Sequence, residues 1–231
     1  MRAFTRYAGT KAKALLDVLA DPSSSVATYK DAMIGLGQQF ALALDPLVAK
    51  DSAICVACTA EDADYLARGL LEGLEKGGIN ADRLRLVCFW NARIRRFESD
   101  DTDSLDVAPI VKEYREQFSV ADSTLIILKS IISGGCVVKT NLASLIEEAV
   151  PQRVFVVAPV MLEGAEKRLS SEFPDSTAKR FEYVTFAIDD QRGADRNVVP
   201  GIGGSVYERL GVPNVNALVP EIVKERRPVS A

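Results

Sequence analysis

Residues Thr124–Thr140 read TLIILKSIISGGCVVKT. An apolar, β-branched run, Thr124–Leu128, leads into a small-residue turn, Ser133-Gly134-Gly135-Cys136, and then into a helix that contains Asn141–Val150. A strand that runs through a glycine turn into a helix is one joint of an α/β fold. The two glycines let backbone N–H groups approach an anion, and the helix N-terminus adds a partial positive charge. Ser133, Cys136 and Thr140 offer side-chain donors beside them. The turn therefore reads as a phosphate cradle. The other reading is a plain βα joint in which glycine serves sterics alone.

The same alternation extends outward on both sides. Ala53–Thr59 (AICVACT) and Leu84–Trp90 (LRLVCFW) are short apolar strands, and Asp62–Lys76 between them has helical spacing that stops at Gly77-Gly78. Strand, helix, strand with short joints implies parallel pairing. Downstream, Val154–Pro159 and Tyr183–Ile188 read as strands separated by a helix over Glu163–Glu172. Val107–Phe118 reads as a further helix after an acidic arm, Phe97–Asp106 (FESDDTDSLD). The first fifty residues read as helical, with Ala12–Leu19 and Tyr29–Ala49 broken at Asp21-Pro22-Ser23-Ser24-Ser25. The expectation is an α/β fold with a central, mostly parallel sheet and helices on both faces.

Composition narrows the chemistry. The 231 residues include 28 Lys and Arg against 32 Asp and Glu, a formal charge of -4, which gives no bulk attraction to nucleic acid or anionic membranes. No apolar run approaches the roughly 18 residues needed to cross a bilayer, and the N-terminus lacks the apolar core of a signal peptide. A cytoplasmic protein is expected. Histidine is absent altogether, so no Ser-His or Cys-His nucleophile can form within this chain. Three of the four cysteines, Cys55, Cys58 and Cys88, fall in strands, as buried thiols do. Cys55 and Cys58 have CxxC spacing but should face opposite sides of their strand. Asp100, Asp101, Asp103 and Asp106 lack the spacing and glycine of a calcium loop and read as a solvated arm. Arg93, Arg95 and Arg96 read as solvated or dimer-facing. No metal site is expected.

A second glycine-rich stretch, Val198–Gly204 (VVPGIGG), is neither ordinary helix nor ordinary strand. Taken in order, these stretches resemble the uracil phosphoribosyltransferase family. Ser133-Gly134-Gly135-Cys136 stands where that family has Thr-Gly-Gly-Ser, and Val157-Ala158-Pro159 matches its Ala-Pro strand. Glu166-Lys167 and Phe173-Pro174-Asp175 match the following helix, and Ile188-Asp189 matches the next strand. Pro200-Gly201-Ile202-Gly203-Gly204 and Leu210-Gly211-Val212 match the closing loops. The resemblance is strong from Leu125 to Gly211. It implies a domain over 1–212 followed by a tail over 213–231, with a short helix within Val215–Arg226 that either packs on the domain or docks to a partner. By the same resemblance, Ser133–Cys136 and Thr140 would hold a 5′-phosphate. Val199, Gly201 and Gly203 would read a base, largely through backbone groups. A homodimer or a protein partner is implied as well.

The departures fall on the catalytic parts. Leu128 stands where the family has its ribose-binding acid, and Lys129 stands where it has Pro. The loop that should bind pyrophosphate reads Cys58-Thr59-Ala60-Glu61-Asp62-Ala63-Asp64, with three acids and no Arg. Gly204 replaces an Asp. Each lost charged hydrogen bond is worth roughly 1.5–3 kcal/mol, so three losses at the transition state imply a rate lower by about 10³ or more. The expectation is a protein that binds a phosphorylated ribose or nucleotide and has lost or altered its catalysis, as a sensor or a subunit of a larger assembly. The alternatives are an active transferase with an altered substrate, with Mg²⁺ needed only in that case, and a scaffold with an empty pocket. No catalytic residue can be named.

Overall fold

The structure is a computed structural model that describes residues 1–49, 51–92, 108–147, 149, 151–194, 197–212 and 217–227. The acidic arm Phe97–Asp106 and the arginines at 93, 95 and 96 lie outside these residues. Ten strands are present among those described. They are β1 (Arg2–Phe4), β2 (Ala53–Thr59), β3 (Leu84–Asn91), β4 (Ile110–Arg115), β5 (Ser123–Leu128), β6 (Ile131–Ile132), β7 (Arg153–Leu162), β8 (Phe181–Asp189), β9 (Gln191–Arg192) and β10 (Val198–Val199). The helices are α1 (Thr10–Ala20), α2 (Val26–Leu44), α3 (Ala60–Asp62), α4 (Arg68–Lys76), α5 (Cys136–Ile146), α6 (Ala165–Ser170), α7 (Asp175–Ala178), α8 (Val206–Arg209) and α9 (Glu221–Arg226). A π-helical turn, Ala63–Ala67, joins α3 to α4, so one helical run extends from residue 60 to residue 76.

The main sheet has the order β1-β8-β7-β5-β2-β3-β4, with β6 added beside β7. β3, β2, β5, β7 and β8 are mutually parallel. In chain order that is 2-1-3-4-5, a doubly wound arrangement. These strands are apolar along their length because they are covered on both sides. Along β2, Ile54, Val56 and Cys58 enter one core cluster, while Cys55 and Ala57 enter the other. The first cluster holds the apolar faces of α1, α2, α4 and α9; Phe40 of α2 stacks on Phe186 of β8 at 4.0 Å between ring centroids. The second holds Val138 and Leu142 of α5 and Leu169 of α6. Helices therefore cover both faces, and the two cysteines of the CxxC spacing sit on opposite sides of the sheet. Burial drives the Cys55 thiol up, and a hydrogen bond with Cys88 followed by burial does the same for Cys58.

Two elements differ from the sequence expectation. Val107–Phe118 is not helical where it is described: Ile110–Arg115 forms β4, antiparallel to β3, with a bulge at Trp90/Asn91. Its apolar spacing suits a helix, but Ile110 and Tyr114 bury better against the sheet edge, and pairing overrides spacing. The N-terminus is not wholly helical either. Arg2–Phe4 forms β1, antiparallel to β8, with Arg2 opposite Asp189. Three residues carry no periodicity, so only the ion pair at its start marks this strand.

Candidate functional site

In a doubly wound sheet, ligands bind beyond the carboxyl ends of the strands where the strand order reverses. Here that point lies between β2 and β5. The register pairs Cys58 with Leu128. Thr59, Ala60, Glu61 and Asp62 therefore leave β2 beside Lys129 and Ser130 leaving β5.

The crevice is filled from within. Lys129 is 4% exposed, Glu61 6% and Asp62 0%. The Lys129 ammonium donates to Asp62 Oδ2 at 2.8 Å and to Ser130 Oγ at 3.2 Å, and lies 3.0 Å from Glu61 Oε1. All three of its donors are thus used. Asp62 Oδ2 also accepts from the Thr59 hydroxyl at 2.8 Å and the Ser130 N–H at 3.3 Å. Glu61 Oε2 accepts from the Tyr207 hydroxyl at 2.8 Å. The third acid, Asp64, accepts the N–H groups of Glu221 and Ile222 at 2.9 and 2.8 Å and so caps α9. Arg68 then holds Glu225 through two bonds of 3.0 and 3.1 Å, and Val223 is fully buried. The described part of the tail packs on its own domain. None of the three acids in the loop faces outward for a ligand. Leu128 is 1% exposed within the core.

The charges of the cluster support one another. Burial works to raise the Glu61 carboxyl, but Lys129, a backbone bond and Tyr207 overcome it and hold Glu61 below its ordinary 4.5. Burial works to lower Lys129, but Asp62 and Glu61 overcome it and hold the ammonium above its ordinary 10.5. A group with a lowered value contributes stability above its unfolded value and loses it as pH falls through the folded one. A group with a raised value contributes below its unfolded value and loses it as pH rises through the folded one. The pair is therefore expected to contribute fully between pH 4.5 and 10.5 and to weaken on either side. Urea unfolding across pH, on wild type and Glu61→Gln, checks this. The variant should show a shallower acid limb, and identical limbs would refute the assignment.

The cradle lies beyond β6, on the second face. Gly135 takes φ +83, a left-handed conformation that favours glycine, and forms the N-cap of α5. Like those of any helix, the first N–H groups of α5 have no intrahelical acceptor, and no side chain caps them here. Gly134 is exposed, and a Cβ placed on it would meet nothing within 4 Å. Ser133 and Cys136 flank this open space and are partly exposed. Thr140, one turn into α5, donates its hydroxyl to Cys136 O at 2.9 Å. Arg168 of α6 reaches across to donate to Ser133 O at 3.1 Å, which brings a guanidinium to the rim.

The other glycine stretch is used differently. A Cβ on Gly201 would lie 2.2 Å from Val198 O, and one on Gly203 would lie 2.1 Å from Leu19 O. These glycines admit the protein's own backbone. Gly201 donates its N–H to Asp189 at 2.8 Å, and Tyr29 donates its hydroxyl to Ile202 O at 3.1 Å. Val199 is exposed at 44% and Gly204 is exposed beside open space. The loop is pinned by its buried side and bare on its outer one.

No protein-family model matches the chain, and no curated protein matches it in sequence. Solved structures do. The chain is similar to the AQ2163 protein from Aquifex aeolicus at 14% identity and a TM-score of 0.69, over 90% of this chain and 97% of that one. It is also similar to a hypoxanthine phosphoribosyltransferase from Trypanosoma cruzi in complex with the product IMP, at 9% identity, TM-score 0.45, and 71% and 79% coverage. An APRTase from Giardia lamblia complexed with 9-deazaadenine matches at 10% identity, TM-score 0.42, and 76% and 84% coverage. The first likeness spans nearly the whole of both chains, and the two share one α/β architecture.

The structure places Ser133, Gly134, Gly135 and Cys136 at one helix start, with Thr140 one turn further along α5 and bonded to Cys136 O. Val199, Gly201 and Gly203 form a separate loop. Sequence reading missed the inward use of Glu61, Asp62 and Asp64, and it missed Arg168. A signal for the first was available: two acids after one strand and a Lys after its neighbour become adjacent once β2 and β5 are paired in register. Nothing in the sequence around Arg168 points to Ser133.

Proposed function

We propose that this protein binds a 5′-phosphorylated ribose or nucleotide on Ser133–Cys136 and has lost phosphoribosyl transfer. It would act through binding, as a sensor or as one subunit of a dimer or larger assembly. The observation that carries the reading is the uncapped start of α5, where Gly134 opens onto empty space. Backbone donors at a helix N-terminus suit a phosphate without any further charge. The outer face of the Val199–Gly203 loop is the candidate contact for the base. Transfer needs charge stabilisation of a leaving pyrophosphate. The loop that would supply it carries no Arg, the Lys129 ammonium beside it is already neutralised by Glu61 and Asp62, and a buried leucine stands where the resemblance puts the ribose acid. The sequence resemblance to uracil phosphoribosyltransferases selects UMP and uridine as the probes.

Calorimetry with UMP and uridine tests the reading. UMP is expected to bind at least about tenfold tighter, since one or two charged hydrogen bonds are worth roughly 1.5–3 kcal/mol each and 1.4 kcal/mol is a factor of ten. EDTA should leave that preference unchanged. Gly134→Asp should erase it: the carboxylate enters the open space, and no neighbour obstructs its Cβ. Equal affinity for UMP and uridine would show the turn to be a structural joint. UMP formation from uracil and phosphoribosyl pyrophosphate above about 1 s⁻¹ would show that transfer survives.

A further inference from the structure

Cys58 and Cys88 stand directly opposite each other on the parallel strands β2 and β3. Both side chains enter the same core cluster, and they are 2% and 0% exposed. Neither is in a disulfide, and a hydrogen bond links the two thiols. Neighbouring strands lie about 4.7–4.9 Å apart, inside the roughly 4.4–6.8 Å that a disulfide spans between Cα atoms. The pairing belongs to this register alone. Val56 faces Leu86 and Ala57 faces Val87, so elsewhere along the two strands the core is filled by plain apolar pairs. Cys55 enters the other cluster, opposite Arg85 and Leu125, and Cys136 opens α5. Two thiols in contact differ from an apolar pair in one property: oxidation can join them.

We propose that Cys58 and Cys88 form a buried redox site that closes to a disulfide under hydrogen peroxide and so fastens β2 to β3 beneath the Thr59–Asp62 loop. One sulfur, as its thiolate, attacks a peroxide oxygen. The O–O bond breaks, a sulfenic acid forms, and the released hydroxide takes up the thiol proton as water. The second sulfur then attacks the sulfenic sulfur, the S–O bond breaks, and a second water leaves with the remaining thiol proton. Two thiols have given up two electrons and two protons, and one peroxide has become two waters. The bond to Cys88 and burial hold the Cys58 thiol up, so the first step is slow and needs a small, neutral oxidant. The inference concerns β2 and β3 alone and does not rest on phosphate binding at α5.

The double variant Cys55→Ala/Cys136→Ala leaves Cys58 and Cys88 as the only thiols of the chain. The reduced variant is held for hours in millimolar hydrogen peroxide, and the peroxide is then removed. Both thiols should be lost when counted in denaturant. The chain should lose two hydrogens in mass without forming dimers, and a non-reducing digest should contain a peptide joined at 58 and 88. The link closes a long loop of chain, so the thermal midpoint should rise by about 5 °C or more, and dithiothreitol should reverse the rise. Adding Cys58→Ala should abolish it. The proposal is overturned if both thiols survive, if the sulfurs gain oxygen without joining, or if the joined chain melts no higher than the reduced one. Should the double variant not fold, the digest is made on wild type. A peptide joined at 58 and 88 from the folded chain then supports the proposal, and its absence, or its appearance only in urea, overturns it. Nucleotide binding enters none of these readouts, so their failure is separable from failure of the phosphate reading.

Discussion

Arg2→Ala is expected to lose about 3–5 kcal/mol of stability, the usual cost of stripping one partner from a buried ion pair. Arg2 is the second residue of the sequence, yet its side chain is 10% exposed and Asp189 opposite is wholly buried. The guanidinium meets both carboxylate oxygens at 2.8 Å, a bidentate geometry that lysine cannot reproduce. Asp189 also accepts the Gly201 N–H at 2.8 Å, and Arg2 itself donates to Gly201 O. One ion pair therefore closes the sheet edge at β1 and fixes the glycine loop. Removing the arginine leaves a buried carboxylate with a single backbone donor. In a chain of this size the loss corresponds to a fall of roughly 10 °C in the unfolding midpoint. Arg2→Lys should retain part of the stability, and Arg2→Ala/Asp189→Asn should recover some of it. Urea or thermal unfolding of the three variants decides the matter. A loss below about 1 kcal/mol for Arg2→Ala would mean that water reaches Asp189 and that the pair is ornamental to the fold.

The same pair shows why some of the fold was legible and some was not. β2, β5 and β7 are short apolar runs with turns at both ends, and a strand buried on both faces needs nothing else to declare itself. The turn before α5 was legible because glycine has few uses other than a positive φ or a close approach, and Gly135 has the first. β1 was not legible: its three residues are held by a partner 187 positions away. β4 was misread because Val107, Ile110, Tyr114 and Phe118 fall at near-helical intervals, and only the presence of β3 alongside decides for a strand. The three acids after β2 were read as the defect of a pyrophosphate loop. That reading treated their charge as unpaired, whereas the partner, Lys129, arrives from a strand 67 residues later. Local chemistry was readable wherever the partner was close in sequence, and the site depends on partners that are not.

Gly69→Ala is expected to destabilise the protein by about 2–3 kcal/mol, although alanine is the better helix former by about 1 kcal/mol. The reason is the approach of α4 to α2. A Cβ on Gly69 would lie 2.1 Å from Ile34 O and 2.9 Å from Ile34 C, both backbone atoms. On the facing helix, a Cβ on Gly37 would lie 2.2 Å from Leu66 O. The two helices touch backbone to backbone, so no side chain can rotate to make room, and the helices must part. Parting them opens the core around Leu36, Phe40, Leu66 and Leu70, all fully buried. It also displaces the π-helical turn Ala63–Ala67, which connects α4 to Glu61 and Asp62. A shift there lengthens the contacts with Lys129, so the acid limb of Gly69→Ala should move toward that of Glu61→Gln. Gly9→Ala is the control: its Cβ meets nothing within 4 Å, and its change should stay within about 0.5 kcal/mol. Gly69→Ala as stable as wild type would show that α2 and α4 can separate freely. The acidic loop would then be held by Lys129 and α9 alone, without the helix pair behind it.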